Sequence, residues 1–99
     1  MQPDSQQPAE VRRNDSRHRY EIEVQGRLAG FLDYREEDGT LALVHTEVLD
    51  GFEGQGLGAQ LARRALEDAR EQGRQVDPSC SFVASYVARH PQYADLVAH

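Results

Sequence analysis

The sequence predicts an α+β domain in which an antiparallel β-meander precedes a helix, a short strand and a second helix. Three observations carry this expectation. Apolar and polar residues alternate from Tyr20 to Val24 and again further on, the period of a strand with one buried face. Apolar residues then recur at spacings of three and four from Leu57 to Ala69, the period of a helix. Between the two patterns lies "GFEGQGLGAQL", with Gly54, Gly56 and Gly58 at alternate positions.

The elements follow in order. Met1 to Arg17 is rich in Gln, Pro and Ser, and Val11 is almost its only apolar residue, so it reads as a disordered tail. The domain proper is expected over residues 18–99. Its first strand carries Tyr20, Ile22 and Val24; Gln25-Gly26 turns the chain into a second strand around Leu28 to Tyr34. Asp38-Gly39 is a strong hairpin signal, and "TLALVHTEVL" follows as the third strand. The first helix shows Leu57, Leu61, Ala62, Ala65, Leu66 and Ala69 on one face and charged residues on the other, with Gly73 placed to end it. "RQVDP" is a short strand, "SCSFVASYVARH" a second helix, and "PQYADLV" a last short turn.

Composition limits what such a chain can do. Its 99 residues make one domain, and 38% apolar with 28% charged residues suits a globular protein. No apolar run approaches the roughly 20 residues that span a bilayer, so no membrane partner is expected. The net charge of −6 argues against binding nucleic acid. A single cysteine, Cys80, excludes an internal disulfide, which makes a reducing cytoplasm the expected setting. Histidines at 18, 45, 90 and 99 form no metal-site spacing.

Glycine in the first turn of a helix costs about 0.5–1 kcal/mol against alanine. A tight turn needs one or two, so three at alternate positions suggest a helix end opened to an anion, usually a phosphate. A Walker A loop requires a lysine, and this chain has none. Gly54, Gly56 and Ala59 match the dinucleotide fingerprint, with Asp77 about 20 residues on. That motif opens a parallel sheet, however, whereas three antiparallel strands come first here.

Element order and spacing together resemble the GNAT superfamily of acyl-CoA-dependent N-acetyltransferases. The pyrophosphate loop of that family reads Gln/Arg-x-x-Gly-x-Gly/Ala; here the positions are Glu53, Gly54, Gln55, Gly56, Leu57 and Gly58, with glutamate replacing the usual first residue. "HTEV", "EGQG", "PSC" and "HPQY" are further similar to the small YjdJ-type subgroup, over roughly His18 to Val97. The resemblance implies a GNAT-like fold with splayed strands around an acyl-CoA site, and acetyl transfer from acetyl-CoA to an unidentified amine. It implies that the pantetheine arm pairs with backbone near Val48 and that the pyrophosphate rests on the N–H groups of Gly54 to Gly58. A non-catalytic CoA-binding or interaction module is the competing reading.

The candidate chemical groups are Cys80, His45 and Glu47. Cys80 falls at the expected start of the second helix, where the macrodipole favours a thiolate. It is either a reactive thiol, open to acylation or able to deprotonate an amine, or an inert packed one. His45 is placed by period two on the face of Leu41, Leu43 and Glu47, as a base or as a hydrogen-bonded core residue. The resemblance implies a carboxylate base at Glu47 and a tyrosine acid at Tyr86, for which core packing is the alternative. His90, before Pro91, is expected to cap its helix.

Overall fold

A computed structural model describes residues 8–97. One five-stranded sheet, in the order β1-β2-β3-β4-β5, is built from Ala9–Asn14, Arg19–Val24, Arg27–Glu37, Thr40–Val48 and Gln75–Asp77. The first four strands form an antiparallel meander, and β5 runs parallel to β4. Helix α1 spans Leu57–Glu71, α2 spans Ser81–Arg89, and a 3-10 segment follows over Pro91–Leu96. The α+β class expected from the sequence is present, and the expected elements follow in their order after an additional first strand.

The expected helical stripe forms the core. Leu61, Ala62, Ala65, Leu66 and Ala69 of α1 are fully buried against Tyr20, Ile22, Leu32, Leu41 and Leu43 of the sheet. Val83, Tyr86 and Val87 of α2 complete the same cluster. The outer face of the sheet carries Arg19, Glu21, Phe31 and Asp33, none of them buried. Helix α1 ends in a Schellman motif: Arg74 N–H donates to the Ala69 carbonyl at 2.9 Å and Gly73 N–H to that of Arg70 at 3.2 Å. His90 caps α2 as expected, its Nδ1 lying 2.7 Å from the Tyr86 carbonyl.

The disordered tail requires correction. Residues 1–7 lie outside the described residues, but Ala9–Asn14 is a full edge strand and Asp15–Arg17 a 3-10 turn. Six residues pair with β2, from Ala9 opposite Val24 to Asn14 opposite Arg19. Alternate side chains face the core. Ala9 and Val11 pack against it, while the Arg13 guanidinium lies 5.0 Å from the Tyr34 ring centroid and 5.8 Å from that of Tyr20. Backbone hydrogen bonding and an arginine over two tyrosines take the place of the apolar side chains the segment lacks.

Candidate functional site

The sheet opens at one end. β4 and β5 pair only from Thr40 to Ala42. β5 stops at Asp77, and the Cys80 N–H then donates to the Leu43 carbonyl at 2.8 Å. β4 continues alone on that side to Val48. Leu49 N–H donates to the Ala29 carbonyl at 2.8 Å, so Phe31–Glu47 and Asp33–His45 are the mutually bonded pairs by antiparallel alternation. The backbone groups of Thr46 and Val48 therefore point to the open edge.

A β-bulge decides which side chains meet there. Asp33 is opposite His45 and Tyr34 opposite Leu43, which leaves Val44 without a partner. The extra residue reverses the alternation. His45 and Glu47, expected beside Leu41 and Leu43, instead lie on the outer face, about half exposed, with His45 Nε2 at 3.2 Å from Glu47 Oε1. Thr46 takes the core face in their place. Its Oγ1 lies 3.3 Å from the Sγ of Cys80.

Cys80 is the N-cap residue of α2 and is nearly buried, at 9% exposure. Burial works against its thiolate, but the Thr46 hydroxyl and the N–H groups of Val83, Phe82 and Thr46 outweigh it, and the thiol titrates below its ordinary range. The Phe82 and Val83 groups do not close a capping hydrogen bond; they favour the anion through charge and orientation. Thr46 is a residue the sequence reading missed. Its signal was the period-two break at Val44, which no glycine or proline marks.

The glycines divide into two kinds. Gly54 and Gly56 have φ of 81° and 73°, the left-handed region, and a Cβ on either would meet nothing within 4 Å. They are there to bend the chain. A Cβ on Gly58 would come within 2.9 Å of Phe82 Cζ, so this glycine admits the ring of α2. Gly56 is also the N-cap of α1, where no side chain caps the helix and no acidic residue occupies the first turn. The first N–H groups of α1 are left for another partner.

These features line a pocket of about 380 Å³. Val48, Glu53, Gly54, Gly56, Leu57 and Gly58, six of the seven expected binding residues, are in its wall; Gln55 is not. Phe52, Phe82 and Arg89 complete the lining with Ala59. The sequence reading missed these aromatic and basic groups, although Phe82 and Arg89 are two helical turns apart and so share a face of α2. Glu53 turns its carboxylate onto the loop, accepting from the Gly51 N–H at 2.9 Å. Tyr86 stays in the core, its ring stacked 3.9 Å from that of His90.

A family model described as GCN5-related N-acetyl-transferase matches residues 19–96. The chain belongs to the GCN5-related N-acetyltransferase family. The solution structure of a GCN5-like protein from Staphylococcus aureus superposes with a TM-score of 0.70 at 25% identity, covering 90% of this chain and 87% of that one. Ard1 from Thermoplasma volcanium shares the fold alone, with a TM-score of 0.54 at 23% identity over 60% of this chain and 41% of its own. Protein NATD1 of Xenopus tropicalis is 35% identical over 52 residues, 52% of this chain. That match spans about half of the relative, 48% of its length. Members of the GCN5-related family generally use acetyl-CoA as cosubstrate and amines as acceptors. Among the described residues no helix is long and apolar enough to cross a membrane, and no group of His, Cys, Asp or Glu could hold a metal ion.

Proposed function

We propose that this chain binds acetyl-CoA, or another acyl-CoA, and transfers the acyl group to an amine. One observation carries the reading: the uncapped N-terminus of α1 and Val48, on the edge of β4 that β5 leaves open, line one pocket. Unpaired N–H groups at a helix start suit a diphosphate. The free backbone of Val48 suits the amides of a pantetheine arm. Within the family, "HTEV", "EGQG", "PSC" and "HPQY" support placement in the YjdJ-type subgroup. The lone cysteine and the acidic balance support a cytoplasmic setting without a nucleic-acid partner.

In the transfer, the acceptor nitrogen attacks the thioester carbonyl, and a β4 N–H on the open edge stabilises the oxyanion. Glu47, hydrogen-bonded to His45 on the outer face, accepts the amine proton for an acceptor approaching from that side. The C–S bond then breaks and the CoA thiolate leaves, to be protonated by solvent. Cys80 offers a second route. Its thiolate attacks the thioester carbonyl and expels the CoA thiolate; the amine then attacks the S-acyl cysteine, giving its proton to solvent as the Cys80 thiolate leaves.

The separation of Glu47 and His45 from the Cys80 face favours one competing reading, a CoA-binding module without turnover. Calorimetry with CoA and thiol release from acetyl-CoA in an amine mixture distinguish them. Binding with no thiol released beyond the hydrolysis blank means a module. Gly56→Asp puts a carboxylate among the helix N–H groups and abolishes binding on either reading; a folded Gly56→Asp variant with unchanged affinity overturns both.

A further inference from the structure

Arg89 belongs to the binding surface just described, and the way charge is distributed over the molecule says why. The chain has no lysine, so the side chains that stay cationic at neutral pH are its arginines. Among the described residues Arg12, Arg13, Arg19, Arg35, Arg64, Arg70 and Arg74 are each ion-paired with a carboxylate. Arg17, Arg27, Arg63 and Arg89 are not. Two of these four converge on one place: Arg89 lines the pocket at the start of α1, and Arg27 lies 5.3 Å from the ring centroid of Phe52 in the same wall. An acidic protein that pairs most of its arginines has left two cations at the pocket where the family loop lacks its usual basic or amide side chain.

Glu53 occupies that family position and cannot replace it. Its carboxylate is committed to the Gly51 N–H at 2.9 Å and would repel an anion. Arg89 stands across the pocket in the last turn of α2, held by a hydrogen bond from its Nη1 to Ser85 Oγ at 3.1 Å. Four of its five N–H donors remain available, in the planar fork that matches phosphate oxygens. We propose that Arg89 supplies the side-chain recognition of the CoA diphosphate that Glu53 cannot, so that the contact has passed from the loop to the second helix. This rests on the acyl-CoA reading above and adds to it the residue that selects a phosphorylated carrier over a bare thiol arm.

The test compares Arg89→Ala with the full wild-type chain by calorimetry against coenzyme A, 3′-dephospho-CoA and pantetheine, at two salt concentrations. Arg89 is exposed, and circular dichroism verifies that the variant is folded. The variant should bind coenzyme A and 3′-dephospho-CoA equally less well, by roughly tenfold, the worth of one charge-assisted contact. Pantetheine affinity should not change, and the salt dependence of CoA binding should become shallower. Arg89→Lys, which keeps the charge but not the fork, should recover part of the loss. Equal CoA affinity in wild type and Arg89→Ala overturns the assignment, as does a loss seen with coenzyme A but not 3′-dephospho-CoA. If the wild type binds no CoA at all, the acyl-CoA reading itself fails and Arg89 with it.

Discussion

Thr46 Oγ1 lies 3.3 Å from Cys80 Sγ, a contact between the third residue past a bulge's start and the cap of a helix 34 positions away. With the sulfur ionised the hydroxyl is the donor, and it adds to the N–H groups that hold the thiol below its ordinary pKa. Thr46→Val keeps the shape and removes the donor. The Cys80 pKa should rise, so the rate of alkylation by iodoacetamide at pH 7 falls and its pH profile moves to higher pH. Thr46→Ser should restore it. A profile that is the same in all three proteins would show that the hydroxyl does not tune the thiol.

The two kinds of glycine respond differently to alanine. Gly56→Ala forces a side chain to φ of 73° and should cost about 1–2 kcal/mol of stability. Gly58→Ala gains up to about 1 kcal/mol of helix propensity, but its Cβ would sit 2.9 Å from Phe82 Cζ. Phe82 is 38% exposed and its ring can swing aside, so the unfolding midpoint should hardly move. The displaced ring narrows the pocket, and CoA affinity should fall. Calorimetric unfolding and titration of the same two variants check both halves; a Gly58→Ala protein with full affinity contradicts the second.

Removing residues 1–14 should be costly. It deletes the six-residue pairing of β1 with β2, the packing of Ala9 and Val11, and the Arg64 Nη1 hydrogen bond to the Val11 carbonyl at 3.0 Å. The melting temperature should drop by at least about 5 °C, which corresponds to about 1 kcal/mol in a domain of this size. Arg13→Ala should show a smaller loss. A truncated protein that melts with the full chain would mean that β1 adds nothing to stability.

Acid should loosen the ends of the fold through identifiable pairs. The Tyr34 hydroxyl and Arg13 hold the Asp15 carboxyl below its ordinary pKa; Arg74 does so for Glu36 and Arg70 for Asp95. A carboxyl with a depressed folded-state pKa supports the native state above its unfolded value and loses that support as pH falls through the folded value. Stability should therefore be level near neutrality and decline below about pH 4. Asp95→Asn should show a shallower decline. These carboxyls are exposed, so 1 M salt should reduce the difference between the variant and wild type. Denaturant midpoints from pH 3 to 7 measure both.

Much of the fold was legible because it obeys simple periods. The α1 residues at spacings of three and four are the ones buried, and the turns fall where Asp-Gly and Gln-Gly stand. Cys80 lies at the helix start expected from Pro78. β1 was not legible, because its order comes from main-chain pairing and from Arg13 over Tyr20 and Tyr34, which hydropathy does not register. The facing of His45, Glu47 and Thr46 was inverted, because the bulge at Val44 shows only as one break in the period-two pattern, with no glycine or proline to mark it. Arg89 could be placed at the pocket only once the direction of α2 relative to α1 was known.

The bulge at Val44 gives residues 43–48 the property of a reading frame. Exchanging one side chain there alters one contact. Deleting Val44 itself would straighten the strand and leave His45, Thr46 and Glu47 on the faces they now hold, whereas adding a residue past it would turn every later side chain of the strand over. The segment can therefore be respelled, or lose its one extra residue, but not gain another, and chains of this design should diversify through substitution in β4 and lengthen only in the loops beyond it.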